Sequence, residues 1–193
     1  MNIGIYIYEN AEVLDFSGPF EVFSTANRFL PNENHVFFIG QTSQTISARG
    51  GFNIVPHFTF ADHPKLDLLI VVGGIHDQEI KKTAVIEWLS HQNESVKYIA
   101  SVCTGAFLLA EAGVLKGLEV TTHWEDIDTL AKRYPEVTVM PNVRWVEQGR
   151  VFTSGGISAG IDMSLYLVEK LFSHNIALKT AKQMEFRWQA KAY

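Results

Sequence analysis

The feature that most narrows the fold is a pair of short, mainly apolar runs. Asp67-Leu68-Leu69-Ile70-Val71-Val72 ends in Gly73-Gly74, and Val96-Lys97-Tyr98-Ile99-Ala100-Ser101-Val102 ends in Cys103. A half-exposed strand alternates polar and apolar residues, whereas a strand covered on both faces can be apolar throughout. Between the two runs, residues 78–92 carry Ile80, Ala84, Ile86, Trp88 and Leu89 at candidate buried positions of a helix. Two buried strands joined by a helix predict parallel neighbours with a crossover connection.

The alternation continues on both sides. Residues 3–8 and 35–39 read as strands, 10–14 as a loop, and 17–30 as a helix with Pro19 in its first turn. Residues 42–60 place Gly50-Gly51 between short β-prone pieces, which suggests a small hairpin. Further on, 104–112 reads as a short apolar helix, 119–122 as a strand and 124–134 as a helix. Residues 138–140, 143–147 and 151–153 read as short strands, the last two turned by Gln148-Gly149. A long helix is expected over about 158–172 and a second amphipathic segment over 176–188. The pattern predicts an α/β layer fold with a mostly parallel central sheet. In such sheets ligands sit beyond the carboxyl ends of the strands, which directs attention to Gly73-Gly74, Cys103 and Thr122-His123.

Composition excludes several functions. The 193 residues fit one domain over 1–193, with no internal repeat and no linker rich in Pro, Gly or Ser. With 16 Lys and Arg against 21 Asp and Glu, the net charge of −5 argues against nucleic acid as a partner. No basic start or small-residue cleavage site marks a signal peptide, and no apolar run approaches a membrane span, so no membrane partner and a cytoplasmic location are expected. The lone cysteine removes intrachain disulfides and C-x-x-C sites. The seven histidines show neither H-x-x-x-H nor H-E-x-x-H spacing, so no metal and no cofactor is expected.

Cys103 follows a buried strand and precedes a helix, with Gly105 two residues on, as in a strand–nucleophile–helix elbow. A helix start offers N–H groups and partial positive charge, so the thiol pKa is expected to fall. The competing reading is a small buried hydrophobe. The Gly74-Ile75 backbone could donate N–H groups to an oxyanion, or could be a simple turn. Asp15, flanked by Leu14 and Phe16, is either a cap before a helix or a carboxyl kept protonated by its apolar setting. His123 could pair with Cys103, or bond backbone at a strand end.

Together, 14–23 (LDFSGPFEVF), Gly73-Gly74, 100–106 (ASVCTGA), 121–124 (TTHW) and 154–162 (SGGISAGID) resemble the ThiJ/PfpI superfamily, the class I glutamine-amidotransferase-like proteins. Within it, the isocyanide (isonitrile) hydratase branch and the amidase-like domain of AraC-type regulators look most similar. The resemblance implies a flavodoxin-like three-layer sandwich, a homodimer, and Cys103 at the elbow with Asp15 as the acid contacting its sulfur. Thr104 stands where the superfamily's proposed proteases carry His, which counts against peptidase activity. The regulators continue into a helix-turn-helix domain, for which the segment after about residue 172 is too short. The expected activity is addition of water to a small isonitrile substrate, with Cys103 as nucleophile, Asp15 as proton donor, and Thr104, Gly74, Ile75 and His123 holding sulfur, substrate or water. Two alternatives stand beside it. One is a glyoxalase or deglycase acting on 2-oxoaldehydes. The other is a non-catalytic module that binds a ligand or senses oxidation through Cys103.

Overall fold

In the computed structural model, which describes residues 1–32 and 34–190, strands and helices alternate as the apolar runs require. The chain forms β1 (Asn2–Tyr6), α1 (Val13–Ala26), β2 (His35–Gly40), β3 (Ile46–Ala48), β4 (Phe52–Ile54), β5 (Phe58–Thr59) and β6 (Leu68–Val71). It continues through α2 (Thr83–Ser95), β7 (Tyr98–Val102), α3 (Gly105–Glu111), β8 (Glu119–Val120), α4 (Ile127–Arg133) and β9 (Thr138–Val139). The last elements are β10 (Trp145–Gln148), β11 (Val151–Ser154), α5 (Ala159–Leu171) and α6 (His174–Gln183).

Seven strands form the central sheet in the order β10-β11-β7-β6-β1-β2-β5. All neighbours run parallel except the β10–β11 hairpin, whose register pairs Trp145 with Ser154. Helices α1, α5 and α6 pack together as one group, and α2 and α3 as another. This is the flavodoxin-like α/β sandwich. Strands β6 and β7 are the two apolar runs, and Leu68, Leu69, Ile70, Val71, Ile99, Ala100 and Val102 are fully buried in them. Burying a Leu, Ile or Val side chain contributes roughly 1.5–3 kcal/mol, so the strands that carry the site are firmly held.

Several boundaries differ from the sequence expectation. Helix α1 starts at Val13, four residues early, so Asp15 lies inside its first turn and not ahead of it. Pro19 is interior; it lacks only the N–H that would have met the Asp15 carbonyl. Residues 79–81 form a separate 3-10 turn before α2. Strand β8 leaves the central sheet and pairs in parallel with β9. Helix α6 stops at Gln183. Beyond it the Trp188 indole N–H donates to the Asp162 carbonyl at 3.1 Å, and the Gln189 N–H to Asp162 Oδ1 at 2.8 Å, which ties the end of the chain to α5. The expected hairpin at Gly50-Gly51 is present as β3–β4. Among the described residues no helix is long and apolar enough to cross a membrane.

Candidate active site

The sharp turn from β7 into α3 places Cys103 at φ +56°, in the left-handed region that costs a non-glycine residue about 1–2 kcal/mol. The surroundings hold it there. The Cys103 N–H donates to the carbonyls of Ser154 (3.2 Å) and Gly155 (3.3 Å), and the Thr122 hydroxyl donates to the Cys103 carbonyl at 2.9 Å. Two glycines make room. A Cβ at Gly105 would stand 2.2 Å from the Val71 carbonyl oxygen. A Cβ at Gly73 would meet the Thr104 nitrogen at 2.6 Å, Cys103 Cβ at 2.7 Å and Asp15 Oδ2 at 2.8 Å. Asp15, Cys103 and Thr104 therefore converge on one point, brought there from α1, the end of β7 and the start of α3.

Asp15 is fully buried. Its Oδ2 accepts the Gly73 N–H at 3.0 Å, while Oδ1 has no hydrogen-bond partner among the described residues. Burial disfavours the charged carboxylate and pushes this group up to about 7, against the pull of the Gly73 N–H; the nearby Glu12 carboxylate adds to the rise. The Cys103 thiol and the Ile157 N–H favour the charged form from close by, but neither closes an aligned bond on Oδ1.

The thiol departs from expectation. Burial, and after it the Asp15 carboxylate, push Cys103 well above a free thiol's range, and the Thr104 N–H offsets only part of this. The helix start is outweighed because the sulfur is largely desolvated and faces an acid. Cys103 and Asp15 hold protons against one another, and at neutral pH the proton stays with the sulfur.

The remaining candidates fall into two groups. Thr104 and Gly74 bind each other: the Thr104 hydroxyl donates to the Gly74 carbonyl at 3.0 Å and accepts the Gly74 N–H at 2.9 Å. The Ile75 N–H donates to the Asn10 carbonyl at 3.1 Å. The expected Gly74-Ile75 oxyanion hole is thus not free, since both amides already have partners, and the Thr104 hydroxyl is equally committed. His123 borders the same cavity as Cys103, yet its Nδ1 accepts the Glu125 N–H at 3.4 Å and lies 3.7 Å from the carboxylates of Glu125 and Asp126. Among the described residues no hydrogen bond joins His123 to Cys103.

Four neighbours escaped the sequence reading. Tyr8 is buried close to Thr104 with an unpartnered hydroxyl. Ile157, a β-branched residue at φ +54°, borders the cavity across from Cys103. Glu12 and Arg49 form a 3.0 Å ion pair at its mouth. Tyr8 ends the expected strand 3–8, but nothing local showed what its side chain meets. Among the described residues no group of three or more His, Cys, Asp or Glu side chains could hold a metal ion.

Comparison with known proteins agrees with this geometry. The chain is 31% identical over 188 residues to the isonitrile hydratase of Pseudomonas putida, covering 96% of this chain and 78% of that one. It is 28% identical to the HTH-type transcriptional regulator CdhR of Pseudomonas aeruginosa, covering 89% of this chain and 51% of the regulator, about half its length. The crystal structure of a ThiJ/PfpI family protein from Pseudomonas syringae superposes with a TM-score of 0.87 at 26% identity, covering 96% of this chain and 74% of that one. The pattern of the DJ-1/PfpI family matches residues 1–170, a span that contains every element converging on Cys103. By sequence, by fold and by the cysteine at its elbow, this chain belongs to the DJ-1/PfpI family.

Proposed function

We propose that this protein is an isonitrile-hydratase-like enzyme that adds water to a small R–N≡C substrate and releases R–NH–CHO, with Cys103 as nucleophile. The observation that carries the reading is a fully buried Asp15, its carboxyl pushed up to about 7, converging with Cys103 on Gly73. A carboxyl that still holds a proton near neutral pH can act as a general acid. An isonitrile needs this, because its terminal carbon becomes electrophilic when protonated. Similarity to the Pseudomonas putida isonitrile hydratase over nearly the whole chain supports the same reading.

In the first step Asp15 gives its proton to the terminal carbon as the Cys103 sulfur bonds to that carbon, and the thiol proton passes to Asp15. The product is a thioimidate, R–N=CH–S–Cys103, with Asp15 protonated again. In the second step water adds its oxygen to that carbon and a proton to nitrogen. The carbon–sulfur bond then breaks, and the remaining proton of the water returns to sulfur. The Thr104 hydroxyl and the Gly74-Ile75 backbone serve here as the frame that fixes the elbow. The Thr104 N–H, which already favours the thiolate, supports the sulfur. His123 closes one side of the cavity.

The test is formamide production from an isonitrile by the purified protein. Cys103→Ala should abolish it, and Asp15→Asn should lower kcat by about 10²–10⁴. Full activity in Cys103→Ala would end the covalent scheme. A second reading, a ligand-binding module akin to the regulators, is favoured by one observation, the protonated thiol. Tight ligand binding without turnover would select it. Lactate from methylglyoxal, with no formamide from isonitriles, would select the glyoxalase reading.

A further inference from the structure

The cavity at Cys103 is small, about 120 Å³. Ligand pockets usually run to about 300–1,000 Å³, so this is room for a reacting group and little more. Close by lies a cleft of about 440 Å³, lined by Trp124 and Ile127 and by the segment from Pro141 to Arg144. Glu125 borders both spaces. The two spaces adjoin where His123, which lines the cavity, abuts Gly156, which lines the cleft: a Cβ at Gly156 would stand 2.0 Å from His123 Cδ2. That ring is held at Nδ1 by a long 3.4 Å bond from the Glu125 N–H.

The walls of the cleft define what it would take. Trp124 is 76% exposed beside it, a large apolar surface, and Ile127 and Val143 also line it. Among the described residues that line it, the one cation, Arg144, is paired with the buried Asp162, while Glu125 and Asp128 add negative charge. An anionic group would meet repulsion there, and an uncharged apolar group would cover the indole.

We propose that this cleft is the substituent subsite, taking an uncharged aromatic or branched-alkyl group against Trp124 while the reacting carbon sits at Cys103. The inference rests on the proposed reaction for its substrate class, but its test uses a different chemistry. The probes are iodoacetamide, N-benzyl iodoacetamide and a carboxylate-bearing iodoacetamide. In each the Cys103 sulfur bonds to the methylene carbon, the carbon–iodine bond breaks, iodide leaves and the thiol proton goes to solvent. The readout is the rate of each substituted reagent divided by that of iodoacetamide, relative to the same ratio for glutathione.

The benzyl ratio in the native protein should exceed that of glutathione by about tenfold, the scale of one well-made aromatic contact. Trp124→Ala, which removes the indole, and Val143→Trp, which fills the cleft from the opposite wall, should each bring it back toward the glutathione value. No reaction with the benzyl reagent, no native preference, a preference that either variant leaves in place, or an equal preference for the carboxylate reagent would overturn the subsite. If the native protein shows the preference but hydrates no isonitrile, the hydratase reading falls and the subsite stands. If it hydrates benzyl isonitrile while both variants keep the reagent ratio, the reverse holds.

Discussion

Thr104 and Gly74 are joined by a reciprocal pair of hydrogen bonds, 3.0 Å from the hydroxyl to the carbonyl and 2.9 Å from the N–H to the hydroxyl. One side chain thus satisfies both backbone groups of a glycine held at φ +143° beside the nucleophile. Thr104→Val keeps the shape and removes both bonds, leaving two polar groups without partners; because Gly74 is half-buried, the pair together should cost about 1–3 kcal/mol, the cost of one fully buried group. Urea unfolding should show a loss in that range, and Thr104→Ser should recover most of it. A Thr104→Val protein as stable as the native one would show that the pair contributes nothing.

Backbone strain at Cys103 reverses a familiar ranking. In ordinary helix or strand positions glycine is about 0.5–1 kcal/mol worse than alanine. At φ +56° alanine keeps the strain and glycine releases it. Cys103→Gly should therefore melt at or above Cys103→Ala, by an amount corresponding to about 1 kcal/mol, while both lack activity. Thermal unfolding of the two inactive variants side by side decides it.

Asp15 makes stability depend on pH in a predictable direction. Its carboxyl is raised from the usual 3.8 to about 7 by burial. Below about pH 4 both the folded and unfolded chains hold this proton, and above about pH 7 neither does. In between only the folded chain binds it, so this group makes the fold less stable as pH rises from about 4 to about 7. Asp15→Asn should flatten that part of the stability curve. If Asp15 is the general acid, kcat/KM also falls as pH rises through about 7. An activity profile flat across that range would rule out the role.

The buried Asp162 is held by Arg144, whose Nε donates to Oδ2 at 3.0 Å, and by the Gln189 N–H at Oδ1. Arg144→Met leaves a buried carboxylate with one neutral partner, and breaking such a pair costs about 3–5 kcal/mol. The double variant with Asp162→Asn should regain part of that loss. Denaturant midpoints of the two single variants and the double variant measure the coupling.

How much of this was legible beforehand differs from residue to residue. Leu68 to Val71 and Tyr98 to Val102 announced two doubly covered strands, because a short, mainly apolar run has few other uses. Cys103 announced an elbow because it stood between such a strand and a helix with Gly105 following. Asp15 was recognised as a candidate acid, but its helix was placed four residues too late. The composition of 10–14 carries no apolar period, and the start of α1 is fixed by its contacts with α5 and the Gly73 amide.

The sequence by itself determined the α/β alternation, the buried strands and the place of the cysteine in chain order. Those follow from local periodicity and from where glycine stands. Only the tertiary structure decided that the thiol keeps its proton, that the Gly74 and Ile75 amides are already bonded, and that His123 turns to Glu125. The physical reason is that desolvation and hydrogen-bond partnership are properties of what surrounds a group. Asp15, Cys103, Thr104 and Gly73 meet at one point only because residues far apart in the chain are folded together at the carboxyl ends of the central strands.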